Sequence, residues 1–163
     1  LYFKPRILRI LEQSTGLPMD RVKIIRYSPW LVHFNTGACN GCDIEVLAAI
    51  CPHYDPERFG VRLAPSIRHG DILVVTGALT KKAAERLRRL YEQMPRPKYV
   101  IAVGACACDG GVFKGSYSIL GGADKVIPVD IYVPGCPPRP EAILHAIIEL
   151  IKEIKGEKSV RPS

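Results

Sequence analysis

Two runs in this chain are apolar from end to end and stop at a glycine: Asp71-Ile72-Leu73-Val74-Val75-Thr76-Gly77 and Tyr99-Val100-Ile101-Ala102-Val103-Gly104. Neither alternates apolar with polar residues, so each reads as a strand covered on both faces of a parallel sheet. Between them, Thr80 is placed to cap a helix whose Ala83, Leu87, Leu90, Tyr91 and Met94 make one stripe. Strand, helix, strand in that order is the unit from which parallel sheets are wound.

The same punctuation divides the rest of the chain. Pro29 interrupts what precedes Leu31-Val32-His33-Phe34-Asn35, which reads as a buried strand; Trp30 and His33 are expected to pack, with no ligand role. Asp43 is placed to cap a short helix carrying Ile44, Leu47 and Ala48 on one face and ended by Pro52, with Cys51 at its end. Pro128 delays the next strand to the run ending at Val133. From Pro140 onward, Glu141 to Lys155 is a helix with Ile143, Ile147, Leu150, Ile151 and Ile154 as its stripe. Lys152 and Lys155 complement the dipole, and Gly156 stops it. The fold class expected is α/β, a doubly wound parallel sheet with helices on both faces.

With 163 residues, 47% of them apolar, the chain suffices for one core. The expected organisation is an amphipathic segment over residues 1–21, one domain over 22–156 and a polar tail over 157–163. In the first, Ile7, Leu8, Ile10 and Leu11 line one side, ready to pack on the domain, a partner or a membrane surface. No run approaches the length of a membrane span and no leader is expected, so a cytosolic setting is. The net charge of +7 suits acidic partners or an anionic surface. No basic run interleaved with aromatics supports nucleic-acid binding.

Six cysteines in a reduced compartment point to metal or redox chemistry rather than disulfides. Cys39 and Cys42 form C-x-x-C, a spacing shared by zinc sites, iron–sulfur sites and thioredoxin-like pairs. In a parallel sheet, ligands gather beyond the carboxyl ends of the strands. Cys39, Cys106 and Cys136 each follow such an end, so one sheet edge should collect them. A redox pair needs neither of the last two, and zinc usually takes a second close pair. A cubane tolerates ligands spread over three loops, with adjacent glycines letting backbone amides approach the sulfurs. The third site offers two thiols: Cys106 lies nearer its strand end, and Cys108 stays open as the alternative. Cys51 is expected to be a spare thiol, as is whichever of that pair does not ligate. A zinc-stabilised binding module remains a competing class, as does a flavin or nucleotide protein using Gly104 to Gly111, although no G-x-G-x-x-G is present.

Together, Cys39-Asn40-Gly41-Cys42-Asp43-Ile44-Glu45, Gly104-Ala105-Cys106-Ala107 and Val133-Pro134-Gly135-Cys136-Pro137-Pro138-Arg139-Pro140-Glu141 resemble the small electron-transfer subunit shared by energy-converting membrane-bound [NiFe] hydrogenases and respiratory complex I. The resemblance covers residues 26 to 155. It implies a flavodoxin-like domain holding one 4Fe-4S cluster on Cys39, Cys42, Cys106 and Cys136, the last in a relay. It further implies a large catalytic subunit, a ferredoxin-like iron–sulfur subunit and membrane subunits as partners, with the chain in a peripheral arm on the cytoplasmic side of the membrane. Complex I members carry adjacent cysteines at the first site; the Asn40-Gly41 spacer is similar to the hydrogenase type. Glu45 then matches a glutamate that resembles the entry to a proton path. Protons, sulfur species and a quinone all stay open as terminal acceptor, because that site belongs to the large subunit.

Overall fold

The computed structural model describes residues 24–155. The amphipathic segment 1–21, Gly156 and the tail 157–163 lie outside the described residues. Residues 24–27 are helical. The chain then runs through β1 (Trp30–Asn35), α1 (Gly41–Ile50), β2 (Arg62–Leu63), β3 (Ile72–Thr76), β4 (Leu79–Thr80), α2 (Lys81–Gln93), β5 (Tyr99–Val103), α3 (Ala105–Asp109), β6 (Ile119–Gly121), β7 (Ile131–Val133) and α4 (Pro140–Lys155).

Five strands form one sheet in the order β2-β1-β3-β5-β7, every neighbouring pair parallel. Counting only those five, the order is 2-1-3-4-5, the flavodoxin-like winding. The two apolar runs are its centre: all five residues of β3 and all five of β5 are buried. Alternate residues serve opposite faces. Ile72, Val74, Ile101, Val103, Ile131 and Val133 pack beneath α1 and α4. On the other face Leu73, Val75, Val100 and Ala102 meet Ala84 and Leu87 of α2 and Ala107 of α3.

Both strand entries are fixed by carboxylates. Asp71 accepts the Trp30 N–H at 3.0 Å, and Asp130 accepts the Val100 N–H at 2.8 Å, so both are buried with partners at the amino end of the sheet. Thr80 caps α2, its hydroxyl accepting the Ala83 N–H at 3.2 Å.

Several expectations need correction. On α1 the face turned to the core is Cys42, Val46 and Ala49, whereas Ile44 and Leu47 are 62% and 56% exposed and Ala48 is half-buried. The helix is apolar around most of its circumference, so periodicity alone does not choose the buried stripe. Asp43 does not cap it either: Asn40 is the N-cap residue, without a side-chain cap bond. On α2 the core residue is Ala84 and not Ala83, with Leu87 the deepest. β1 is only partly covered, Leu31 alone being fully buried, because its outer neighbour β2 is two residues long. The antiparallel pair β4–β6, too short to show a period, was not anticipated.

Leu87 reports on the α2–sheet contact. Leu87→Ala should lower the unfolding free energy by roughly 2–5 kcal/mol, read as a shifted urea midpoint at unchanged m-value.

Candidate metal centre

The strands end in register. Asn35 pairs with Thr76, Thr76 with Val103 and Val103 with Val133, one straight row along the carboxyl edge. Adjacent strands lie about 4.8 Å apart, so this row spans roughly 14 Å from β1 to β7. Cys39, Cys106 and Cys136 come within a few residues of it, and Cys42 opens the helix that folds back over it.

The loops leaving the row are tied to one another. Thr36 donates its N–H to the Thr76 carbonyl at 2.9 Å and its hydroxyl to the Thr76 and Gly77 carbonyls at 2.8 and 3.0 Å, while Thr80 N donates to the Thr36 carbonyl at 3.3 Å. On the other side, Gly104 N donates to the Val133 carbonyl and Ala105 N to the Gly135 carbonyl, both at 2.8 Å. The Cys136-Pro137 peptide is cis. A Cβ placed on Gly41 would stand 3.6 Å from Cys39 Sγ and 3.9 Å from Pro137 Cγ, so the first and last cysteine loops meet.

Gly104 is where the middle loop meets Cys42. Its φ is +90°, and a Cβ there would fall 2.4 Å from Cys42 Sγ. Only a residue without a side chain allows this backbone beside this thiol.

Electrostatics tie Cys42 and Cys106 to the other cysteine loops. Cys42 is pushed up to about 11, first by burial and then by the fields of Cys106, Cys39, Cys136 and Asp43. Cys106 is raised by burial and then by Cys136 and Cys39. Neighbouring thiolates thus penalise charge on Cys42 and Cys106, and a cationic group among them would reverse that penalty. Cys108 behaves differently. Burial pushes it up to about 11, with Cys42 the only thiol that adds to the shift, and its Sγ turns to the carbonyls of Ala102 and Val133, 3.8 and 3.9 Å away, against the α2 side of the core. Cys51 is exposed at the far end of α1.

Among the described residues no group of three or more His, Cys, Asp or Glu is arranged to hold a single metal ion. A cluster places a separate iron behind each thiolate and so holds its ligands further apart. A donor set of four thiols, a cradle kept clear by Gly104 and the amino end of α1 directed at anionic sulfur fit a cluster.

Sequence reasoning missed the polar group behind Cys42. Asp43 accepts hydrogen bonds from His33, Asn35 and Thr76, and Asn35 Oδ1 accepts the N–H groups of Gly37 and Ala38 at 2.7 and 2.8 Å. The available signal was period two: His33 and Asn35 share one face of β1, and Thr76 is the polar end of an apolar run. Glu45 is half-buried on α1, its charge felt by Tyr54, whose hydroxyl donates to Glu141 at 3.1 Å.

A flavodoxin-like sheet whose carboxyl edge is lined with thiols is the frame of a metal-binding or redox protein. The chain belongs to the family of the NADH ubiquinone oxidoreductase 20 kDa subunit, whose model matches residues 39–150. It is 56% identical over 139 residues to the probable membrane-bound hydrogenase subunit mbhJ of Pyrococcus furiosus, covering 83% of each chain. It is 53% identical over 134 residues to an NADH-quinone oxidoreductase subunit of Rubrobacter xylanophilus, spanning 82% of this chain and 52% of that one. Among solved structures, a chain of the membrane-bound sulfane sulfur reductase, an archaeal respiratory membrane complex, superposes with a TM-score of 0.73 at 39% identity, over 83% of this chain and 75% of that one.

The Gly104 contact is open to test. Its backbone is a conformation that costs other residues roughly 1–3 kcal/mol, and the Cys42 clash adds to that. Gly115 has φ +87° with nothing within 4 Å of its would-be Cβ. Gly104→Ala should therefore lower the urea midpoint clearly more than Gly115→Ala does.

Proposed function

We propose that this chain is the electron relay of a membrane-bound hydrogenase-type oxidoreductase, with one 4Fe-4S cluster on Cys39, Cys42, Cys106 and Cys136 that serves a large catalytic subunit. The observation that carries the reading is the in-register row Asn35–Thr76–Val103–Val133, beyond which the four thiols gather. The likeness to the Pyrococcus furiosus hydrogenase subunit supports the branch, as does the Asn40-Gly41 spacer between the first two cysteines.

A bound cluster supplies one-electron transfer at unchanged ligation. The protein's part is to hold four thiolates rigidly, to limit water around Cys42 and Cys106 and to leave Cys39 and Cys136 at the surface. Rigid, partly dry ligation keeps reorganisation small, which is what a relay needs. Cys106 is the third ligand on this reading because its thiol lies in the field of Cys136 and Cys39, whereas the Cys108 thiol is turned to the carbonyls of Ala102 and Val133.

Exposed apolar side chains lie on the segments that carry the thiols: Ile44 and Leu47 on α1, and, after Cys106, Val112, Phe113 and Tyr117, with Leu120 in β6. Such a surface suits a permanent partner, here the large subunit, with a ferredoxin-like iron–sulfur subunit as electron source and membrane subunits completing the assembly. No helix among the described residues is long and apolar enough to cross a membrane, which suits a place in a peripheral arm on the cytoplasmic side. On this reading Glu45, three residues beyond Cys42, is a proton carrier at the entry to a proton path toward the large subunit.

The likeness to the sulfane sulfur reductase chain favours a second reading, the same relay serving a sulfur-reducing large subunit. Purifying the native complex anaerobically separates the two: the hydrogenase reading expects nickel and hydrogen evolution, and the sulfur reading expects neither. Both expect about four irons at this subunit and a reducible EPR signal. Cys39→Ser, Cys42→Ser, Cys106→Ser and Cys136→Ser should each abolish or distort that signal, with Cys51→Ser and Cys108→Ser sparing it. Loss in Cys108→Ser with retention in Cys106→Ser overturns the ligand assignment; zinc without iron overturns the relay. Glu45→Gln should cut turnover at least tenfold while leaving the EPR signal intact.

A further inference from the structure

Residues that alternate along β1 divide between the faces of the sheet. Val32 and Phe34 pack toward α2. His33 and Asn35 are on the other face, where α1 lies, and there they meet the carboxylate of Asp43 in the first turn of that helix. Asp43 Oδ2 accepts from Asn35 Nδ2 at 2.6 Å, and Oδ1 accepts from the Thr76 hydroxyl at 2.5 Å and from His33 Nε2 at 2.9 Å. Thr76 has one proton and gives it to Asp43, so toward His33 Nε2, 3.0 Å away, it can only accept. The His33 proton therefore sits on Nε2.

This carboxylate is engaged only as an acceptor, by groups from β1 and β3, and is nearly closed off from water. A first-turn aspartate ordinarily serves its own helix amides; here it is turned into the sheet. Two consequences follow from where it is held. One peptide bond separates it from Cys42. One side chain, that of Asn35, links it to the amides of Gly37 and Ala38, which lead into Cys39. The hydrogen-bonded group therefore touches the approach to both members of the first cysteine pair.

We propose that Asp43 is a positioning residue for the Cys39–Cys42 half of the cluster site, bracing that loop through Asn35, and that its charge beside Cys42 sets the potential of the cluster downward. The inference rests on the relay reading above. Through Asn35 it holds the loop that presents Cys39, and through Thr76 and His33 it pins the start of α1, and with it Cys42, to β3 and β1. A fixed negative charge in weakly screened surroundings favours the oxidised cluster, and each donor on that carboxylate offsets part of the effect.

The test is an EPR redox titration of this subunit's cluster in the purified complex, with iron content measured alongside. Asp43→Asn, with iron retained, raises the midpoint potential. Thr76→Val keeps the charge and removes one donor from it, so the midpoint moves the opposite way, downward. This second variant decides the matter should Asp43→Asn lose its iron. Asn35→Ala keeps the charge and releases the Gly37 and Ala38 amides, so iron is lost to a chelator severalfold faster than from the wild type. Midpoints unmoved in the variants that retain iron, or moved in the same direction, overturn the charge role. Chelation at the wild-type rate in Asn35→Ala overturns the brace. A wild-type complex without a cluster at this subunit fails the relay reading itself, an outcome separate from a normal cluster whose potential ignores Asp43.

Discussion

Backbone groups buried on both faces of a sheet can be satisfied only by the neighbouring strands. β3 and β5 have no exposed residue, so their N–H and C=O groups must pair laterally, and parallel pairing at one register ends the strands together. The row Asn35–Thr76–Val103–Val133 is the consequence. Chain leaving that row has nowhere to go but over one edge, and the cysteines are on the segments that leave it. The site is thus a by-product of how the core solves its hydrogen bonding, with α1 and α4 on one face and α2 and α3 on the other holding the edge rigid.

Such an edge is a poor place for thiolates on their own. Burial and mutual repulsion push Cys42 up to about 11, so the arrangement opposes charge on the very atoms that would ligate. A cationic iron–sulfur core would resolve the conflict, because its iron would supply the countercharge that the protein leaves out. Glycine at position 104 belongs to the same economy of space: the middle loop comes so close to Cys42 that even a methyl group would strike its sulfur. Proximity that would be wasteful in an ordinary core is the condition for four ligands to share one group.

Much of this was legible beforehand, and the exceptions have causes. The central strands, the Thr80 cap and α4 followed from uninterrupted apolar runs, a hydroxyl before a helix and a clean stripe beginning at Pro140. The convergence of Cys39, Cys106 and Cys136 followed from counting strand ends. The buried stripe of α1 did not, since Ile44 and Leu47 are as apolar as Val46 and only the position of the sheet decides between them. Asp43 read as a helix cap because that is its local option; its partners His33 and Thr76 are 10 and 33 residues away in the chain, and no local rule links them.

By itself the sequence determined the winding and the chemistry: hydrophobic runs with glycine stops demand a parallel sheet, and the cysteine spacing demands a thiol-lined edge. These are short-range properties, set by side-chain solubility and backbone sterics. Tertiary structure alone decided which thiol of Cys106 and Cys108 faces the others, which side of α1 is covered and where the Asp43 carboxylate points. Each of these turns on a rotation of a few tens of degrees about a helix or a single loop. That rotation is settled by contacts between residues far apart in the chain, which acquire neighbours only once the sheet has formed.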